Sequence, residues 1–532
     1  MSAKATWKVS AAVMASRVLG LARDMLFAGL FGAGRWMDCF FLAFKVPNLL
    51  RDLFAEGALS QAFVTTFSKK VKTDGPDSAW GLANKMLTLA AVFMSGVSLL
   101  GILLAPWIVE LLMSLSRSGA TVREFSPEEM ALTVTMVRIM YPFILLVSLA
   151  ALVMGMLNAR NVFGMPALSS CFFNIGSMIG GVGLGWWLDP NFGPRSLLGL
   201  SMGVVIGGLA QLVCQFPALG KVGFRFAADF RWRDSGVRQV LKLMAPAVIA
   251  ASVVQVNVVV NAMFAYGVSE GAVSWLSYAF RLMQLPIGVF GVAVATVTLP
   301  ALSRAAIGGI GEDFQPTLAK GIRLVAFLVL PSMLGLVILA EPIISVLFER
   351  GDFSATDREQ TAAALRAYGV GLVFYAGLKV LQPSFYAIDR RWFPMMVSLF
   401  ALGVNLGLNY LFVFVLGLGH AYLALTTSIV ACCNFLILYL CLSRIVGGLR
   451  GGELLVLLGK LGTAGGLMAG LCVAARSMLF NDLSSMSWLV KAAGLGVTVA
   501  VAAAVYFAAA KVLRVPEAED ALSILKRKTG RA

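Results

Sequence analysis

The chain has 532 residues, 59% of them hydrophobic and 13% charged, with a formal net charge of +16. A soluble domain carries about 25% charged residues, so this composition excludes a water-soluble multidomain protein and points to a polytopic helical membrane protein. One histidine and seven cysteines without a CxxC pair offer no metal centre and no disulfide framework.

A spanning helix needs about 20 mainly apolar residues. On that ruler the chain holds about fourteen spans, near 7–33, 37–67, 80–114, 131–158, 166–188, 196–218, 239–266, 272–302, 318–340, 361–388, 392–416, 420–444, 453–477 and 487–513. Spans two and ten are weakly apolar and escape hydropathy alone. Lys4 and Lys8 resemble the basic start of a cleaved signal, but Arg17, Arg23 and Asp24 interrupt the apolar run, so it reads as a retained first span.

Spans one and two carry Arg17, Arg23, Asp24, Asp38, Lys45, Arg51, Asp52 and Glu56. An ionisable group at the bilayer centre costs roughly 3 kcal/mol on insertion scales, so these side chains are expected to line a polar space and not lipid. Asp38, Lys45 and Asp52 recur every seven residues and share a helix face, with Glu56 four residues beyond. Arg51 points away from that stripe on an ideal helix. Pro47 is expected to kink span two just before it and turn Arg51 inward. Asp24 with Arg17, and Asp38 with Lys45, are the expected internal pairs.

Spans three to six alternate with basic loops that set orientation. With the N-terminus inside, that face collects roughly 24 Lys/Arg against about 7 on the other. The basic segments include Lys69-Lys70-Val71-Lys72, the loop with Lys221, Arg225, Arg231, Arg233 and Arg238, and the tail Lys526-Arg527-Lys528. The charge is therefore topological and suits anionic lipid headgroups. No nucleic-acid partner is needed to explain it.

Spans seven to twelve repeat spans one to six. Leu42-Ala43-Phe44-Lys45 matches Tyr278-Ala279-Phe280-Arg281 at an offset of 236, and Ala159 and Pro166 match Ala387 and Pro394 at 228. Both copies have the same orientation. Parallel repeats imply a pseudo-two-fold along the membrane normal and a site between halves near the midplane. The expected organisation is a lobe at 1–218, a lobe at 219–447 and an appended helix pair with a basic tail at 448–532. At 1.5 Å per residue, Arg23, Lys45 and Arg281 come to similar depths, about 12–15 Å below the outer ends of their spans.

Cations Arg17, Arg23, Lys45, Arg51, Arg281 and Lys379 outnumber anions Asp24, Asp38, Asp52 and Glu56. That excess calls for an anionic ligand, and arginine forks suit phosphate oxygens. Lys379 is given a supporting role, as is Asp52. Asn257, Asn261, Asn405 and Asn409 are candidate Na⁺ ligands in the second half, although interhelical hydrogen bonding explains them as well. A Walker A loop is missing from the sequence, so the membrane potential or an ion gradient is the expected driving force, and no enzymatic cofactor is called for.

Several runs then resemble one family. Ser16-Arg17-Val18-Leu19-Gly20, Ala22-Arg23-Asp24, Phe44 to Arg51 (FKVPNLLR), Phe54 to Phe63 (FAEGALSQAF), Leu299-Pro300-Ala301-Leu302-Ser303 and Phe348 to Phe353 (FERGDF) are similar to the MurJ (MviN) lipid II flippases. The resemblance covers essentially the whole chain. It implies an all-α fold of fourteen helices in two lobes plus a C-terminal pair, of the multidrug/oligosaccharidyl-lipid/polysaccharide exporter superfamily. It implies a bacterial inner-membrane transporter, not an enzyme, with both termini cytoplasmic. It implies lipid II as cargo, moved outward by alternating access, with membrane lipids and cell-wall synthesis proteins as partners. By the motif match, Arg23, Asp24, Asp38, Lys45, Arg51, Glu56 and Arg281 are the expected cavity residues. One departure stands out: some members carry Asp-Arg-x-x-Glu around the span-eight arginine, and here Phe280 and Gln284 replace the acids. An exporter of another lipid-linked oligosaccharide or of a drug, and a membrane glycosyltransferase, stay open at this point.

Overall fold

The computed structural model describes residues 3–53, 59–116, 125–306, 313–390, 392–449 and 451–519, and these are helices and connecting turns with no strand among them. The chain forms two compact units, Met1–Ser274 and Trp275–Ala532.

The first unit holds α1 (Ala3–Phe31), α2 (Arg35–Arg51), α3 (Ser60–Thr73), α4 (Pro76–Ser116), α5 (Pro127–Met140), α6 (Pro142–Ala159), α7 (Gly164–Leu188), α8 (Ser196–Val213), α9 (Phe216–Lys221) and α10 (Ser235–Val268). Local sequence sets several starts. Ser126 and Glu129 form a reciprocal capping box at α5. Asp234 caps α10 through the Gly236 amide. Phe63, Phe67, Leu82, Met86, Leu152, Met156, Val237 and Val240 build one core from α3, α4, α6 and α10. The unit thus runs on to Ser274, past the repeat boundary at 218, because α10 packs on α3 and α4. α7 and α8 meet backbone to backbone: a Cβ at Gly199 would sit 2.2 Å from the Gly185 nitrogen, and one at Gly203 would sit 2.5 Å from Gly181.

α11 (Ala272–Pro286) starts at the unit boundary. The second unit continues with α12 (Val292–Ala305), α13 (Phe314–Ile338), α14 (Ala340–Phe348), α15 (Ala355–Val370), α16 (Leu372–Ala387), α17 (Trp392–Tyr410), α18 (Ala421–Ile445), α19 (Gly451–Leu479) and α20 (Trp488–Val512). The last two helices pack on α13 through Phe327, Leu461, Ala464 and Tyr506, whose hydroxyl donates to the Phe327 carbonyl at 2.8 Å.

Among the described residues, ten segments are long and apolar enough to cross a membrane, and α15 with α16, bent by 43°, makes an eleventh as a pair. That pair is expected span ten. The charged α1 and α2–α3 region is not among the ten. α2 runs through Pro47 to Arg51, and regular helix gives way to a π-helical turn at Asp52, beyond the proline.

The repeat has a counterpart in local geometry. α6 ends at Ala159 and α16 at Ala387. Asn161 and Asp389 then adopt left-handed φ of 62° and 61°. The turns close alike, with Val162 N–H on Leu157 O and Arg390 N–H on Phe385 O, both at 2.8 Å. Likewise α2 ends in a π-helical turn from Asp52, and α11 in one at Ile287–Gly291.

A polar strap joins α9 to α10. Its backbone is tied to α4: Ala227 N–H donates to Asn84 Oδ1 (3.2 Å), Asp229 N–H to Thr88 Oγ1 (3.2 Å), and Asn84 Nδ2 to Arg225 O (3.4 Å). Lys85 donates to Asp234 at 2.6 Å, which holds that carboxyl below the usual carboxylate range. Arg231 grips Asp229 through both carboxylate oxygens and holds it down to about 2.

Candidate functional site

Each unit presents its own part of the expected charge set. In the first, α1 is seated on α7 by Asn174, whose amide donates to Ser16 O at 3.2 Å. One to two turns along α1, Arg23 places Nε and Nη2 on a single oxygen of its neighbour Asp24, at 3.0 and 2.8 Å. Asp24 is buried. The guanidinium also lies 5.7 Å from the Phe173 ring centroid and 6.0 Å from that of Phe27. Asp24 thus bonds to the residue beside it.

Arg51 repeats this arrangement at the end of α2. Its Nε and Nη2 converge on Oδ1 of Asp52, at 3.1 and 2.9 Å. The second oxygen of Asp52 accepts from Gln255 of α10 at 3.2 Å. Arg17 and Lys45 are half-buried on α1 and α2.

Asp38 is different. It has no solvent exposure, and it accepts from Gly271 N–H (2.8 Å), Ser274 N–H (2.9 Å) and the Ser274 hydroxyl (2.7 Å). Gly271 immediately precedes α11 and Ser274 lies in its first turn, so Asp38 caps the start of that helix from a distant one. It shares a face of α2 with Lys45 by spacing, yet its bonds go to residues 271–274. Glu56 lies outside the described residues.

In the second unit, Arg281 of α11 and Lys379 of α16 are exposed. Phe280, standing where some relatives have an acid, packs edge-on against Tyr368 at 5.5 Å, and Gln284 is exposed. The candidate cation ligands divide. Asn405 and Asn409 are buried on α17 and bond to each other, Asn409 Nδ2 to Asn405 Oδ1 at 3.1 Å. Asn257 belongs to the first unit, on α10, and its Oδ1 is buried with no hydrogen-bond partner among the described residues.

A second charged cluster was not singled out from sequence. Glu349, just past α14, accepts from Arg358 of α15 at 2.6 Å and from Lys491 of α20 at 3.1 Å, and Ser345 bonds to both Glu349 and Lys491. Arg358 and Lys491 are buried. Beside it, Glu341 pairs with Arg366 and with Arg476 (3.3 Å). The signal was available: Lys491 is a cation inside an apolar span, and Glu349 lies in the FERGDF run.

No group of three or more His, Cys, Asp or Glu among the described residues has metal-binding geometry. What the arrangement offers is arginine forks held on adjacent carboxylates, and guanidinium groups pair with phosphate oxygens in the same way.

Comparison with known proteins gives consistent matches. The family described as lipid II flippase MurJ matches residues 27–494. A lipid II flippase MurJ from Burkholderia cenocepacia is 36% identical over 445 residues, 83% of this chain and 84% of that protein. A MurJ relative from Vibrio cholerae is 36% identical over 440 residues, 81% of each chain. Among solved structures, a lipid II flippase MurJ in an inward closed conformation superposes with a TM-score of 0.74 at 26% identity, over 94% of this chain and 98% of that one. An inward-facing MATE multidrug transporter of the MOP superfamily shares the fold, with a TM-score of 0.64 at 18% identity over 81% of this chain and 95% of that one.

Proposed function

We propose, from the premise that this chain belongs to the lipid II flippase MurJ family, that Arg23, Arg51 and Arg281 bind the pyrophosphate of lipid II. The chain is a multi-pass membrane transporter that flips lipid II and is not an enzyme. The observation that carries the assignment of Arg23 and Arg51 is the recurrence of one geometry, and Arg281 joins them through its match to Lys45 in the sequence repeat. Arg23 and Arg51 each rest two N–H groups on one oxygen of the next residue in sequence.

Such a pair keeps the cation neutralised while no cargo is bound. Exchange for a phosphate oxygen leaves the helix contacts intact, because the carboxylate partner is local. Asp24 and Asp52 act as placeholders, and Gln255 keeps Asp52 oriented when Arg51 departs. Arg17, Lys45 and Lys379 supplement the positive field around the head group. Asp38 positions backbone and does not touch cargo in this reading, since its oxygens are taken by residues 271–274.

The cycle is alternating access in the bacterial inner membrane with both termini cytoplasmic, a placement supported by the Lys/Arg bias of the loops. Its driving force is the membrane potential or a Na⁺ gradient, for which the buried Asn257 Oδ1 is the candidate ligand atom. Cell-wall synthesis proteins are its expected partners in the membrane.

The test is depletion of the native protein in cells supplied with Arg23→Ala, Arg51→Ala or Arg281→Ala at normal levels. Lipid II is expected to accumulate in the cytoplasmic leaflet with each variant. Full flipping by all three overturns the assignment.

A further inference from the structure

The strap between α9 and α10 carries an exposed array that the transport cycle does not use. Phe226 and Phe230 are 64% and 65% exposed, and the Arg231 side chain is 84% exposed. Lys221, Arg225, Arg233 and Arg238 are exposed on the same segment. Phenylalanines left in water at this density are unfavourable, and the strap has the means to bury them. Its neighbour Phe224 is buried against Trp80 of α4, ring to ring at 5.3 Å.

The height of the strap decides what covers the other two rings. The backbone is tied to α4 at Asn84 and Thr88. Beginning four residues beyond Thr88, α4 exposes Val92, Phe93, Leu99, Leu103, Trp107 and Leu111, a face fit for lipid tails. Four residues of helix rise about 6 Å. The strap therefore crosses α4 where the polar start of the helix gives way to its lipid-facing length. Aromatic rings and basic side chains at that level face the headgroup zone.

We propose that the strap is a binding site for anionic phospholipid headgroups: Lys221, Arg225 and Arg233 hold the phosphate, and Phe226 and Phe230 insert into the interface beside it. Charge complementarity selects the occupant, because five cations on residues 221–238 stand against Asp229 and Asp234, both already engaged by Arg231 and Lys85. The site is independent of the flippase reading and of Arg23, Arg51 and Arg281.

The test uses the full chain purified in detergent and titrated with phosphatidylglycerol or phosphatidylcholine, with retained lipid counted by native mass spectrometry. Lys221→Ala/Arg225→Ala/Arg233→Ala leaves the Arg231–Asp229 and Lys85–Asp234 clamps in place. Phosphatidylglycerol retention is expected to weaken on the order of fivefold for each cation removed, with phosphatidylcholine retention unchanged. Phe226→Ser/Phe230→Ser is expected to weaken phosphatidylglycerol retention too, whereas Arg225→Lys/Arg233→Lys, which keeps the charge, is expected to retain most of it. Should the triple variant lose folded yield, the three single variants read the same slope. Unchanged phosphatidylglycerol retention, or an equal loss for both lipids, overturns the proposal. So does displacement of phosphatidylglycerol by a soluble polyglutamate peptide from wild type and the Phe variant alike, which would mark a site for an acidic protein.

Discussion

Two charged clusters of this protein solve the problem of buried charge in opposite ways. In α1 and α2 each arginine leans on the carboxylate next to it in sequence, Arg23 on Asp24 and Arg51 on Asp52. In the second unit Glu349 gathers Arg358 and Lys491 from two other helices, the latter 142 residues away. A contact between chain neighbours does not itself join two helices, so exchanging it for a ligand contact breaks no interhelical bond of its own. A contact among three helices fixes their packing, and its loss strands the remaining charges. The first kind suits binding, the second suits architecture, and substitution should separate them.

The largest expected effect is on the architectural cluster. Glu349→Ala leaves Arg358 and Lys491 buried without their carboxylate, a change of about 3–5 kcal/mol for a broken buried pair. Thermal midpoint and folded yield in detergent are expected to fall sharply. Replacing all three with apolar residues, Glu349→Leu/Arg358→Met/Lys491→Met, is expected to recover most of that stability. If Glu349→Ala melts like wild type, the distinction between the clusters collapses.

The binding cluster is expected to differ in its effect on transport. Arg23→Ala should lower flipping by at least about tenfold, as truncation of a charge-assisted contact to cargo does, and should also lower the melting temperature, because it strands Asp24 buried without this cation. Arg23→Ala/Asp24→Ala should restore the melting temperature and leave flipping lost. Recovery of transport by the double variant would show that Arg23 serves only to neutralise Asp24.

Asp38 sits between these cases and sharpens the contrast. Its three donors are two backbone amides and a hydroxyl. In Asp38→Asn the amide nitrogen faces an N–H that it cannot accept, with an expected cost of about 1–3 kcal/mol. The readout is faster amide hydrogen exchange at residues 271–274, where a cargo-binding role would instead leave exchange unchanged and weaken lipid II binding.

These differences show what sequence made legible. The membrane class, the helical fold, the charge in spans one and two and the repeat are carried by composition and spacing, which act locally. The closing turns at Asn161 and Asp389 follow the 228-residue offset because helix termination is a local event too. The partners of the charges were less accessible. Spacing puts Asp38 on the face of Lys45, and it gives no sign of the amides that also hold Asp38, which lie 233 and 236 residues away. Lys491 was visible as a cation in an apolar span, and its meaning depended on Glu349 arriving from elsewhere.

The smallest effect concerns the strap, where the charge pairs are only partly buried. Asp229 is held down to about 2 by Arg231, and Asp234 below the usual range by Lys85. Both carboxyls have depressed values in the folded chain. Their contribution is therefore present above the ordinary carboxylate value of about 4 and is lost as pH falls through the depressed values. Amide exchange at Ala227 and Asp229, which donate to Asn84 and Thr88, should be unaffected between pH 7 and 5 after correction for intrinsic rates. It should rise as pH drops from about 4 towards 2. At pH 7, Asp234→Asn should raise it by no more than roughly fivefold, the scale of an exposed ion pair. A rise already complete at pH 5 would mean that some other group holds the strap to α4.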